Sequence, residues 1–145
     1  MNKAVDRLIV SDSVIMAIGW CVGEAPNILV YGERVEHQVQ HRYQRPDVSQ
    51  YLGKSDDQPF GFIISALTPV MGIGHADVSL IFSDENKPVQ CAQNPDDRVH
   101  ELFDRFVREV NSAPKGISIL ELGSRARSGN TYSSWFPSAT RYTGV

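Results

Sequence analysis

The 145-residue chain has only two cysteines, Cys21 and Cys91, which is too few for a disulfide scaffold. The two thiols can pair across a sandwich, but two reduced, buried, small apolar side chains are the favoured interpretation. No apolar run approaches the ~18 residues that a membrane span requires. Asp6 and Asp12 lie just before the short apolar run Val14–Val22, in a position where a signal peptide has no acidic residue. We therefore expect a cytoplasmic protein.

The chain also lacks an excess of positive charge, since 14 Lys and Arg against 17 Asp and Glu give a net charge of -3. A basic surface that follows nucleic-acid phosphates is not expected, and no nucleic-acid partner is predicted. Seven basic and eleven acidic residues lie in 1–95, whereas seven basic and six acidic residues lie in 96–145. This shift in composition predicts a boundary in the chain near residue 95.

Motifs for metal binding and nucleophilic catalysis are missing as well. The sequence has no Cys-x-x-Cys or His-Glu-x-x-His spacing, although His37 and His41 are predicted to share one strand face. No serine occupies a nucleophile elbow. We therefore predict no metal site and assign no catalytic residue.

The first ninety residues alternate bulky and small or polar side chains with the period of two that is typical of strands. The clearest cases are Val14–Val22, in which Trp20 lies on the bulky face, and Val35–Tyr43, which has one polar face. About seven short strands separated by turns predict an antiparallel, immunoglobulin-like β-sandwich over residues 1–92. Further strands are predicted at Ile28–Tyr31, Phe60–Leu67, His75–Phe82 and Lys87–Ala92.

The hydrophobic period changes in the last third of the chain. Asn94 and Pro95 predict the start of a helix, and apolar residues at spacings of three and four then form one stripe. An apolar strand at Ile117–Leu120, a glycine-containing loop, a helix and a second strand from Arg141 follow. This order predicts the first β-α-β unit of a Rossmann-type sheet within residues 93–145, and so an α+β chain in two parts.

The predicted strand runs into Glu121-Leu122-Gly123, which resembles the Glu-x-Gly opening of class I S-adenosylmethionine-dependent methyltransferases. The longer string Leu-Glu-Leu-Gly-Ser-Arg, followed by a Ser-Gly pair, is similar to bacterial methyltransferase-like proteins. The resemblance implies that Glu121 lies near the methionyl amino end and that the backbone at Gly123 approaches the cofactor closely. The cofactor-binding residues that it implies are Glu121, Gly123, Ser124, Arg125 and Gly129.

The family's later glycines are replaced by Arg125 and Arg127, which either bind an anion or are solvated loop charges. The resemblance covers about 50 residues, and a complete domain of this type needs more than ~150. It therefore implies the N-terminal fragment of a parent methyltransferase, with a sugar or glycan-linked group as the candidate acceptor. We expect the 145-residue chain to be inactive alone, without tightly bound S-adenosylmethionine. An ordinary strand-to-helix turn of another α/β protein is the alternative interpretation.

The first part of the chain has three short motifs of its own. These are Gly19-Trp20, Arg45-Pro46-Asp47-Val48 and Gly61-Phe62. They resemble an accessory β-domain that precedes catalytic domains in bacterial glycan-modifying enzymes. The residues themselves favour structural roles, with Trp20 in a core, Arg45 and Asp47 bonding a turn, and Gly61 allowing close packing. Asp47 is also a candidate cap for a short helical turn. The alternative function is a non-catalytic module whose sandwich contacts carbohydrate or a partner protein.

Overall fold

A computed structural model of the chain describes residues 2–55, 57–91, 101–113, 116–121 and 136–144, without the side chains of 101–105, 121 and 144. Within these residues the fold is mixed α+β, with mostly antiparallel strands and few helices.

The first sheet has four antiparallel strands in the order β1-β2-β6-β5. They are β1 (Lys3–Val10), β2 (Val14–Cys21), β5 (Val39–Tyr43) and β6 (Gly61–Leu67). The register of β1 against β2 shifts between Val5 and Arg7, which leaves Asp6 in a bulge.

The second sheet has four shorter antiparallel strands in the order β4-β3-β7-β8. They are β3 (Asn27–Val30), β4 (Glu33–Arg34), β7 (Val78–Ile81) and β8 (Val89–Gln90). Tyr31 and Gly32 join β3 to β4 with φ angles of 50° and 79°, which is the pattern of a type I′ turn. A 3-10 turn at His75–Asp77 precedes β7, so the strand predicted over His75–Phe82 is shorter than expected.

The facing sides of the two sheets enclose one hydrophobic cluster. Ile15 from β2 and Phe62 and Ile64 from β6 meet Ile28 from β3 and Leu80 from β7, and all five are 0% exposed. Burial of side chains of this size contributes about 1.5–3 kcal/mol each. Every member of the cluster lies within the first 91 residues, so this core belongs to the first part of the chain.

The opposite face of the first sheet is covered by two helices, α1 (Pro46–Leu52) and α2 (Glu101–Asn111). At one end Trp20 packs with Val48 of α1. At the other end Met16 packs with Val107 and Val110 of α2. Both faces of β2 are therefore buried. Its bulky side chains share one face, as the alternation predicted, and the structure shows that this face packs against the helices.

Two local predictions in the first part are wrong. Val35–Tyr43 is not one strand, because His37 has a φ of 56° and β5 begins only at Val39. His37 and His41 therefore do not share a strand face. Asp47 does not cap α1, since Arg45 is the N-cap residue and no side chain makes a capping hydrogen bond there.

β4 ends at Arg34, and beside Ile28 the Val35 N–H donates to the Ile28 carbonyl oxygen (3.1 Å) while the Gln38 side chain supplies further hydrogen bonds. Its Oε1 accepts a hydrogen bond from the Ile28 N–H (2.8 Å), and its Nε2 donates to the Ile28 carbonyl oxygen (2.9 Å) and to that of Val35 (2.7 Å). The side-chain amide thus completes the backbone hydrogen bonding of β3.

In the second part, β9 (Ser118–Glu121) and β10 (Arg141–Gly144) form a parallel pair. These strands agree with the two predicted ones to within a residue at their starts. The predicted helix start, with Asn94 as the cap and Pro95 at the first helical position, lies outside the described residues, as does the segment predicted to hold the loop and helix between the strands.

Candidate functional site

The predicted cofactor-binding segment starts where β9 ends. Glu121 is the last residue of β9 and pairs in register with Gly144, the last residue of β10. Because the two strands are parallel, their carboxyl ends lie at the same edge of the sheet, where ligands bind in open α/β folds. The backbone of Glu121 therefore lies at the shared carboxyl edge of β9 and β10. The other predicted cofactor-binding residues lie outside the described part of the chain: Gly123, Ser124, Arg125 and Gly129.

The parallel pair is anchored to the first sheet by apolar packing. Ile119 of β9 and Tyr142 of β10 pack against the cluster that covers Met16, and Phe136 is a buried member of it. The rings of Phe136 and Tyr142 are stacked with centroids 6.3 Å apart. The carboxyl edge of β9 and β10 is therefore held in place by the first part of the chain.

A polar link joins the same regions. The His41 imidazole of β5 donates its Nε2–H to the carbonyl oxygen of Asn111, the last residue of α2, over 2.6 Å. Ser138 donates its hydroxyl to the Asn111 side-chain oxygen over 2.8 Å. His41 thus satisfies the end of a helix and is not placed as a metal ligand.

Arg45 and Asp47 form a two-pronged ion pair. Arg45 donates Nε–H to one Asp47 oxygen (2.8 Å) and Nη2–H to the other (2.7 Å), and its Nη1 reaches Asp6 in the β1 bulge (2.8 Å). The guanidinium lowers the pKa of the Asp47 carboxyl, and the same pairing raises the pKa of Arg45. The predicted structural role is confirmed, because the fork ties α1 to β1.

The other two motifs of the first part also have structural roles. Trp20 is only 7% exposed and contacts Val48 and Phe60, so its ring offers no open platform to a ligand. A Cβ at Gly61 would lie 2.7 Å from the Tyr43 ring, so only glycine lets that ring approach β6 so closely. The core and packing predictions for these residues are confirmed.

A cavity of about 390 Å³ lies beside Cys21 and Arg42. The Arg42 guanidinium donates to the carbonyl oxygens of Cys21 (3.0 Å), Gly23 (2.7 Å) and Pro59 (3.0 Å), so main-chain acceptors already occupy it. Burial raises the pKa of the Cys21 thiol and that of Cys91, and both cysteines are free. The cavity therefore offers neither a free cation nor a reactive thiolate.

A groove of about 490 Å³ lies between the β3–β4 turn and the loop that follows β6. Tyr31 lines one side and is 62% exposed, while Leu67 at the end of β6 and Val70 in the loop line the other side and are 54% and 52% exposed. The charged lining residues are Glu33, Arg34 and Glu36. Within the described part of the chain none of these three makes a side-chain hydrogen bond or ion pair.

Sequence reasoning missed this groove because it assigned Tyr31 to the end of a strand. The turn itself was predictable, since a residue followed by glycine between two short strands is typical of a two-residue hairpin turn, but the groove was not.

Among the described residues no group of three or more His, Cys, Asp and Glu side chains is placed to hold a metal ion. No helix in the described ranges combines the length and the apolar character needed to cross a membrane. Comparisons with protein-family models, with curated proteins and with solved structures find no match to this chain.

Proposed function

We propose that the chain is the N-terminal part of a class I S-adenosylmethionine-dependent methyltransferase. In this proposal residues 1–92 are an accessory, immunoglobulin-like β-sandwich, and residues 93–145 begin a Rossmann-type sheet. The protein is placed in the cytoplasm.

The observation that carries the proposal is the parallel pairing of β9 with β10. Consecutive parallel strands need a crossover connection of about a dozen residues or more, usually a helix. The 19 residues 122–140 separate these two strands, which is enough for one. An antiparallel hairpin at this place would have excluded a β-α-β unit.

The proposed cofactor site lies beyond the shared carboxyl edge, and the chemistry of its donors fits the ligand. A carboxylate at Glu121 can accept hydrogen bonds from the methionyl ammonium, and main-chain N–H groups at Gly123 and Ser124 can donate to the methionyl carboxylate. The cofactor supplies an electrophilic methyl group when bound. In this family the second strand normally ends in an acid that holds the ribose, and we assign that role to no residue up to Gly144.

The described sheet supplies only one corner of such a site. Each missing hydrogen bond is worth about 0.5–1.5 kcal/mol, and most of the apolar enclosure is missing as well. Micromolar affinity requires about -8 kcal/mol. We therefore expect the 145-residue chain alone to show neither methyl transfer nor measurable cofactor binding.

Calorimetric titration with S-adenosylmethionine tests the proposal. The 145-residue chain should give no binding heat, and a protein extended through the whole sheet should bind. In that longer protein Gly123→Val should abolish binding, because a branched side chain would stand where the backbone meets the ligand. The matched control is Gly23→Val, far from the proposed site in sequence, which should leave binding intact. Tight binding by the short chain, or equal binding by both variants, would contradict the placement of the site.

The second candidate function is a binding module whose β-sandwich contacts a glycan or a partner protein. The groove between Tyr31 and Val70 favours it, because that groove combines exposed apolar side chains with charged groups that have no partner in the described residues. This function is compatible with the first, since an accessory domain that holds an acceptor can precede a catalytic one.

A further inference from the structure

Tyr31 has a backbone conformation that its side chain disfavours. Its φ of 50° lies in the left-handed region, and the first central position of a type I′ turn favours Asn, Asp or Gly. Its N–H donates to the Asp77 carbonyl oxygen over 2.9 Å, which holds the turn in place. The ring gains little burial in return, because the residue is 62% exposed. Strained backbone positions cluster at ligand-binding and functional sites, so this exposed ring makes the turn a candidate contact site.

The groove beside Tyr31 has an amphipathic lining. Leu67 and Val70 add exposed apolar surface to the aromatic ring, and Glu33 and Arg34 bring a carboxylate and a guanidinium to the same groove. A pyranose ring has the matching chemistry, with C–H groups on its faces and hydroxyl groups around its rim. Carboxylates accept hydrogen bonds from pairs of sugar hydroxyls, a guanidinium donates hydrogen bonds to the hydroxyl oxygens, and an aromatic face packs on the C–H groups of the sugar.

Other classes of ligand fit this groove less well. Two carboxylates, Glu33 and Glu36, against one guanidinium disfavour an anionic ligand such as a phosphate or a nucleic acid. A peptide that adds to the sheet as a strand needs a long free edge, whereas β4 has two residues. The volume of about 490 Å³ lies in the range of small-molecule sites.

We propose that this groove binds a neutral pyranose residue of a glycan, with the Tyr31 ring as its stacking platform. The inference rests on the second candidate function and is independent of the methyltransferase assignment.

The Tyr31→Asn variant separates binding from folding. Asparagine followed by Gly32 is a preferred type I′ pair, so the variant should be at least as stable as the parent chain while lacking the ring. The probes are the methyl glycosides of glucose, galactose, mannose and N-acetylglucosamine, observed by saturation-transfer NMR with the 145-residue chain. We expect at least one to bind, and Tyr31→Asn to weaken that binding about tenfold or more, equivalent to about 1.4 kcal/mol. Tyr31→Phe, which keeps the ring, should bind as the parent does.

The matched control is Tyr51→Asn, which removes another exposed tyrosine, on α1, and should leave glycoside binding unchanged. The proposal is overturned if none of the four glycosides receives saturation, or if Tyr31→Asn binds as well as the parent. It is also overturned if sedimentation shows a dimer that Tyr31→Asn abolishes, since a second copy of the chain would then occupy the groove. None of these outcomes changes cofactor binding in the extended protein, so the two proposals fail separately.

Discussion

Replacing Trp20 by alanine tests whether the face of the first sheet that packs against α1 and α2 forms a hydrophobic core. The indole is 7% exposed, packs against Val48 and Phe60, and meets the Tyr51 ring edge-on with centroids 6.2 Å apart. A buried tryptophan removes about 150–250 Å² from water. At ~25 cal/mol per Å² this corresponds to about 4–6 kcal/mol for the whole side chain. Alanine keeps a small part of that burial but leaves a cavity, so we expect a loss of about 4 kcal/mol.

Equilibrium urea unfolding, followed by circular dichroism, measures this loss. The control is Tyr51→Ala, which removes an exposed ring from the same contact and should cost no more than about 1.5 kcal/mol. A loss below about 1 kcal/mol for Trp20→Ala would refute the core assignment. Such a small loss would instead favour an indole that is available to ligands. In that case the Trp20→Ala variant should bind glycosides more weakly than the parent chain.

Three other changes test the packing, the ion pair and the boundary of the first part. Gly19→Ala places a Cβ against the Ala4 carbonyl oxygen and should lower the free energy of unfolding by about 2–3 kcal/mol. In the control Gly23→Ala the added Cβ meets no atom within 4 Å, so the free energy of unfolding should change by less than about 1 kcal/mol. Equal urea midpoints for Gly19→Ala and Gly23→Ala would show that β1 and β2 can separate without cost. Asp47→Asn should lower the free energy of unfolding at neutral pH by about 0.5–1 kcal/mol, because the pair is partly exposed. The Asp47 carboxyl binds its proton more weakly in the native state than in the unfolded state. The stability difference between the parent chain and Asp47→Asn is therefore complete above the ordinary Asp pKa of about 3.9, and it is lost as the pH falls through the lowered native pKa. A stability difference that persists in strong acid would contradict the ion-pair explanation. A chain that ends at Ala92 should still unfold cooperatively, because the cluster between the two sheets lies inside it. An absence of protected amides in hydrogen exchange would show that the predicted boundary is misplaced.

Side-chain alternation predicts strands well only where the backbone keeps a regular ladder. It located β2, in which bulky and smaller side chains alternate and pack into different clusters on the two faces of the sheet. It missed β1, in which Asp6 occupies a bulge and interrupts the period. It merged Val35, the bend at His37 and β5 into one strand, because Val35 and Tyr43 remain in phase across the bend. Val35 belongs to the cluster between the sheets and Tyr43 packs on the opposite face, which a period of two cannot reveal.

The two candidate sites differ in how far the sequence predicts them. A local pattern, an apolar strand that runs into Glu121, predicted where β9 ends, and β9 does end at that residue. The roles of Gly123 and its neighbours remain predictions from resemblance. The groove beside Tyr31 has no local pattern, because its two sides come from segments that are distant in the sequence. Only the tertiary structure brings Tyr31 close to Val70.

The amide of Gln38 has a consequence for how the protein behaves at high concentration. An edge strand with unpaired N–H and C=O groups invites strands of other molecules to add to the sheet, and β4 is too short to cover its neighbour. Since both backbone groups of Ile28 already have side-chain partners, an incoming strand finds no open position there. At Ile28, the Gln38 side chain thus occupies the hydrogen-bonding position that a strand from another molecule would need.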